Sequence, residues 1–149
     1  MPERILSFAH SGRISKSFRH VILFGVPLFQ PDLQNFIRRT IRSVWALEVL
    51  LALRRGAQRA WSAEELNAEL RSRLGLITEI LAGLQQSGLV REERLGAFRY
   101  APASGDLDNL SAQLEEAYAT RPFLVLETIL SATDSRIQTF ADAFKVKKD

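Results

Sequence analysis

The stretch from Trp61 to Tyr100 reads W-S-A-E-E-L-N-A-E-L-R-S-R-L-G-L-I-T-E-I-L-A-G-L-Q-Q-S-G-L-V-R-E-E-R-L-G-A-F-R-Y. Ser62 followed by Glu65 has the spacing of a capping box, in which each residue satisfies a free N–H at the helix start. Trp61 before the cap and Leu66 after it are placed to form a hydrophobic staple. Leu66 and Leu70 share a helix face with Ala63 beside them. Arg71 to Arg73 carry no apolar side chain, which predicts a turn, with Ser72 or Arg73 capping the next helix. Ile77, Leu81 and Leu84 then recur at the spacing of a buried stripe, with Leu74 and Ile80 at its margins. Gly88 ends that helix in the left-handed conformation glycine adopts most easily. Leu89 and Val90 open a strand, Leu95-Gly96-Ala97 suits a hairpin tip, and Phe98 and Tyr100 alternate on the return strand. Pro102 closes the ladder because it has no N–H to donate.

The resulting order is helix, turn, helix, hairpin, the order of a winged helix-turn-helix. L-x-x-L-Q-Q-S-G-L-V-R, the basic hairpin and Y-A-P resemble the second half of a MarR-type winged-helix regulator, and the resemblance covers roughly residues 43 to 103. It implies a dimeric bacterial transcription factor whose second helix enters the DNA major groove while the hairpin touches the neighbouring backbone. The expected fold class is mainly α with a small β-hairpin, a winged helix-turn-helix core with N- and C-terminal helices.

Composition narrows the function classes. At 149 residues the chain can bury one domain-sized core. The lack of cysteine removes disulfides, thiolate nucleophiles and zinc–thiolate sites, which suits a reducing cytoplasm. The net charge is only +3, yet it is unevenly spread. Residues 1–73 hold twelve Arg or Lys against six acidic residues, whereas residues 105–135 hold one against six. This asymmetry fits a protein that presents one end to a polyanion, and equally one that pairs with itself or with a charged partner. Sixteen of the twenty basic residues are arginine, a bias in keeping with a GC-rich bacterial genome.

Three segments are expected: a poorly ordered basic extension over 1–31, a winged-helix domain over 32–103, and a helical segment over 104–149 for packing or dimerisation. In the first, Arg4, Arg13, Lys16 and Arg19 precede an apolar run from Val21 to Phe29 that is too short to span a bilayer. It reads as a loose extension, a basic arm along DNA, or a docked strand. Asp32 is the expected cap of the next helix, with Leu33, Phe36, Ile37 and Ile41 on one side and Arg38, Arg39 and Arg42 on the other. Those three arginines read as a solvated face or a phosphate-contacting one. Val44 to Leu53 is apolar nearly all round and should be buried on more than one side, with Ser43 a possible break before it.

After Pro102, Leu107, Leu110, Leu114, Ala117 and Tyr118 recur at helical spacing. Arg121-Pro122 forces a stop and restart. Phe123, Leu126, Ile129 and Leu130 form the next stripe. Asp134 is placed to cap a last helix carrying Ile137, Phe140, Ala141 and Phe144. These helices should pack on the first long helix and on a second copy of the chain. Trp45, Tyr118 and Phe123 read as core, or as the lining of an effector pocket.

The candidate DNA-binding residues are Arg71 and Arg73 at the turn, Thr78 on the second helix, and Arg91, Arg94 and Arg99 on the hairpin. Base reading needs donors and acceptors on the exposed face of the second helix. That face offers Leu74 or Gly75, Leu76, Thr78, Glu79, Ala82 and Gly83, of which only Thr78 is a comfortable donor. The arginines around it suit phosphate clamping with little base reading. Enzymatic readings fare worse. His10 and His20 both lie in the extension, Glu92 and Glu93 alternate along a strand, and no glycine-rich phosphate loop occurs. Neither cofactor nor metal is expected. Two functions compete: a homodimeric DNA-binding regulator on double-stranded DNA, and a winged-helix module that docks a protein through Leu76, Glu79 and Ala82. A membrane partner is not expected.

Overall fold

The computed structural model describes residues 29–133. Within them lie six helices and a small antiparallel sheet: α1 (Pro31–Thr40), α2 (Val44–Arg55), β1 (Trp61–Ser62), α3 (Ala63–Leu70), α4 (Leu74–Gln86), β2 (Val90–Arg94), β3 (Ala97–Tyr100), α5 (Gly105–Thr120) and α6 over 122–133. The fold is mainly helical, with the sheet ordered β1-β3-β2. The expected basic extension, apart from its last three residues, and the expected last helix beyond Asp134 lie outside the described residues.

Helix α2 is the centre of the core. Ala46, Leu47, Val49, Leu50, Leu51 and Leu53 are all buried, as its all-round apolar sequence predicts. Ser43 does break the chain before it: its Oγ accepts from the Ala46 N–H at 3.1 Å. One buried cluster takes in Leu33, Ile37 and Ile41, the α2 residues, Leu66, the Ile77/Leu81/Leu84 stripe of α4, Leu114 of α5, and Val125 and Ile129 of α6. Phe29 belongs to it as well.

The Ser62–Glu65 capping box is formed in both directions, at 3.1 and 2.9 Å. Two other expected caps are not. Gln30 occupies the N-cap of α1 without a side-chain bond, because Pro31 takes the first helical position and moves Asp32 into the first turn. Arg73 is the N-cap of α4 and also makes no side-chain bond. The end of α4 is a complete Schellman motif: Leu89 N–H donates to the Leu84 carbonyl and Gly88 N–H to that of Gln85, both at 3.0 Å, with Gly88 at φ 80°.

Trp61 stands just before the Ser62 cap and packs against the buried cluster that includes Leu66. It sits in β1, paired with Phe98 of β3, and its Nε1 donates to the Gly56 carbonyl at 2.9 Å. A two-residue strand is too short to show alternation in sequence, so the hairpin gains a third strand that periodicity does not announce. Phe123 and Leu130 are corrected too. They are 85% and 56% exposed, whereas Val125, Thr128, Ile129 and Ala132 are buried. F-L-V-L-E-T-I-L has two apolar faces, and α6 buries the one with the smaller side chains. Trp45, at 39% exposure, is likewise not core.

Candidate nucleic-acid interface

Helix α4 presents Gly75, Thr78, Glu79, Ala82 and Gly83 to solvent, with Leu76 half-buried and Leu74 exposed. The Thr78 hydroxyl is already engaged, donating to the Leu74 carbonyl at 3.0 Å. A threonine that bonds back to the preceding turn offers a ligand only its lone pairs. Neither glycine of this face has anything within 4 Å of where a Cβ would stand, so their backbone lies open.

The arginines divide into two groups. The side chains of Arg71, Arg73, Arg91 and Arg94 are exposed and make no hydrogen bond or ion pair among the described residues. Arg71 and Arg73 stand just before the first turn of α4, whose leading N–H groups have no side-chain cap. Arg71 adopts φ 58°, the one non-glycine left-handed conformation among the described residues. Arg91 and Arg94 lie on β2, which leaves α4 through the Gly88 turn.

Arg99, the sixth candidate, is built into the fold instead. Its Nε donates to Glu93 Oε1 at 3.0 Å and its Nη1 to the Ala57 carbonyl at 3.3 Å. A register shift between Glu92 and Arg94 inserts Glu93 as an extra residue opposite β3, and this bulge accompanies the pairing. Glu92 serves the hairpin tip, where its Oε2 accepts the Gly96 N–H at 2.8 Å. Both hairpin carboxylates are therefore engaged within the hairpin.

Sequence reasoning missed the support beneath the hairpin. Arg59 lies over the Trp61 ring, 3.6 Å from its centroid, and its Nη1 bonds Glu65 Oε1 at 3.1 Å. The amide bond from Ser62 and the Arg59 contact hold the Glu65 carboxyl below its ordinary pKa of 4.5. Tyr100, at the end of β3, donates to Asp108 Oδ1 at 2.7 Å. Burial raises the pKa of its phenol. Arg54 pairs with Glu115 and lies over the Tyr100 ring, so α2, β3 and α5 meet through polar groups. The Arg54–Glu115 pair and the Tyr100–Asp108 bond join residues on separate elements, beyond what local spacing shows.

Two cavities flank these elements. One of about 570 Å³ lies between α1 and the start of α5, lined by Asn35, Phe36, Arg39 and Asn109 among others. A second, of about 400 Å³, runs beside α4 between Arg39, Arg42, Leu76, Glu79 and Gln86. Trp45, Tyr118 and Phe123 line neither. Among the described residues no cluster of His, Asp or Glu is arranged to hold a metal ion, and no helix is long and apolar enough to cross a membrane. Compared with known family models, curated proteins and solved structures, the chain matches none.

Proposed function

We propose that α2, β1, α3, α4 and the β2–β3 hairpin form a winged helix-turn-helix, and that the protein is a homodimeric, cytoplasmic regulator of transcription that binds double-stranded DNA. One observation carries this reading: the side chains of Arg71, Arg73, Arg91 and Arg94 remain unpaired around an open helix face whose one charged group is Glu79. Cations without internal partners are available to phosphates, and phosphate contact fixes a protein's position on the duplex without reading sequence. Because Thr78 is engaged and Glu79 is acidic, specificity comes from DNA shape more than from base edges. The exposed Phe123 and Leu130 on one face of α6 supply the seam for a second copy. The test is a gel shift with mixed-sequence duplex at low salt, beside sedimentation of the free protein. Retarded duplex and a dimer that Phe123→Glu turns into a monomer are expected; no retardation at any protein concentration refutes the reading.

A second reading rests on the groove beside α4. Leu76, Ile80 and Leu84 line it, and charged Arg39, Arg42 and Glu79 stand around it. This lining suits an apolar partner segment better than a nucleic-acid groove and supports a protein-docking module. Retained partner binding in a variant lacking all four free arginines separates this reading from the first.

A further inference from the structure

We infer that the cleft between α1 and α5 is a binding site for a neutral sugar, an inference independent of the DNA-binding reading above. The two walls are built from the same short sequence. Asp32-Leu33-Gln34-Asn35-Phe36 in α1 and Asp106-Leu107-Asp108-Asn109-Leu110 in α5 both read D-L-x-N followed by an apolar residue, and both begin at the second residue of their helix. Residues three and four apart share a helix face. Asp32, Asn35 and Arg39 therefore form one polar stripe and Asp106, Asn109 and Gln113 another, and both stripes line the cleft. Phe36, Leu107 and Leu110 supply its apolar lining. Its volume, about 570 Å³, is that of a small-molecule site.

Side-chain amides mark this cleft out. Two of the chain's three asparagines, Asn35 and Asn109, line it together with Gln30 and Gln113. None of these four side chains, nor those of Asp32, Arg39 and Asp106, makes a hydrogen bond or ion pair among the described residues. Polar groups of both signs thus line one cleft without pairing with each other. Their charges narrow the ligand. One cation stands against two carboxylates, so the lining is net negative and disfavours phosphates. A carboxamide both donates and accepts, whereas a carboxylate only accepts. Neighbouring hydroxyls of a sugar can donate to a carboxylate and accept from a carboxamide N–H, and each wall offers such an Asp/Asn pair. The C–H face of a sugar ring suits the apolar lining. A nucleobase binds by stacking on an accessible ring, and Phe36 is only 5% exposed.

The experiment titrates glucose, galactose, mannose and ribose, one at a time, into the isotope-labelled full chain and follows its amide signals by NMR. At least one sugar should move the side-chain amide signals of Asn35 and Asn109 saturably, while those of Gln85 and Gln86 on α4 stay still. Asn35→Ala combined with Asn109→Ala should weaken that binding about tenfold, read on the backbone amides of α1 and α5. The double variant should melt no lower than wild type, because both positions are exposed and alanine favours a helix. Gln86→Ala, outside the cleft, should bind as wild type does. Absence of a saturable shift with all four sugars overturns the inference. A shift that the double variant retains at full affinity also overturns it. Saturable shifts of Asn35 and Asn109 with phosphate or benzoate, and with none of the sugars, overturn it in favour of an anion held by Arg39.

Discussion

Arg91 and Arg99 face each other as register partners across the hairpin, yet only Arg99 is paired with a carboxylate. Two like charges at one cross-strand position repel, and Glu93 offsets that repulsion by holding one of them. The two residues should therefore behave differently. Arg99→Ala should lower stability by roughly 0.5–1 kcal/mol through loss of a half-exposed ion pair, with little change in the salt slope of DNA binding. Arg91→Ala should leave the melting temperature unchanged and reduce the slope by about 2, one contact from each protomer of the dimer. Thermal unfolding and binding isotherms on the two variants check this.

Arg71 gives effects of opposite sign on stability and binding. A non-glycine residue in the left-handed region carries about 1 kcal/mol of strain that glycine avoids. Arg71→Gly should raise stability by about 0.5–1 kcal/mol in urea unfolding and weaken duplex binding in the same preparation. A variant that gains stability and binds DNA unchanged removes Arg71 from the interface.

Gly56 is constrained by a neighbour rather than by its backbone. A Cβ there would stand 2.6 Å from Cζ2 of Trp61. The indole cannot withdraw, because Nε1 bonds the Gly56 carbonyl and Arg59 stacks on the ring. Gly56→Ala should destabilise by about 1–3 kcal/mol, as overpacking does. Denaturant unfolding monitored by tryptophan fluorescence reads it directly.

The depressed pKa of Glu65 predicts a pH dependence. A carboxyl with a lowered folded-state value contributes stability above its ordinary value of 4.5, and that contribution is lost as pH falls through the lower folded value. Stability should drop as pH falls below 4.5, and Glu65→Gln should flatten the drop. Unfolding curves collected across that window, in wild type and variant, carry the comparison.

How far the sequence discloses the molecule depends on how local each interaction is. The capping box, the Ile77/Leu81/Leu84 stripe and the Gly88 turn depend on neighbours within one helix or its exit, and each stands where its spacing puts it. The engaged Thr78 hydroxyl is legible by the same logic, since a threonine inside a helix has a carbonyl four residues back to bond. The pairing of Arg99 is not legible. It depends on a bulge and on a carbonyl forty-two positions away. Strand β1 and the buried face of α6 fail for another reason: two residues show no period, and an eight-residue stretch with two apolar faces does not say which is inside.

The central claim is that four arginines meet DNA phosphates, and the salt dependence of duplex binding tests it most directly. With Arg71, Arg73, Arg91 and Arg94 of two protomers each displacing one counterion, log K should fall against log salt with a slope of about −7. Replacing all four by alanine should remove nearly all of that slope while the thermal unfolding transition stays intact. A wild-type slope that survives the fourfold replacement, or duplex that is not bound even at low salt, contradicts it.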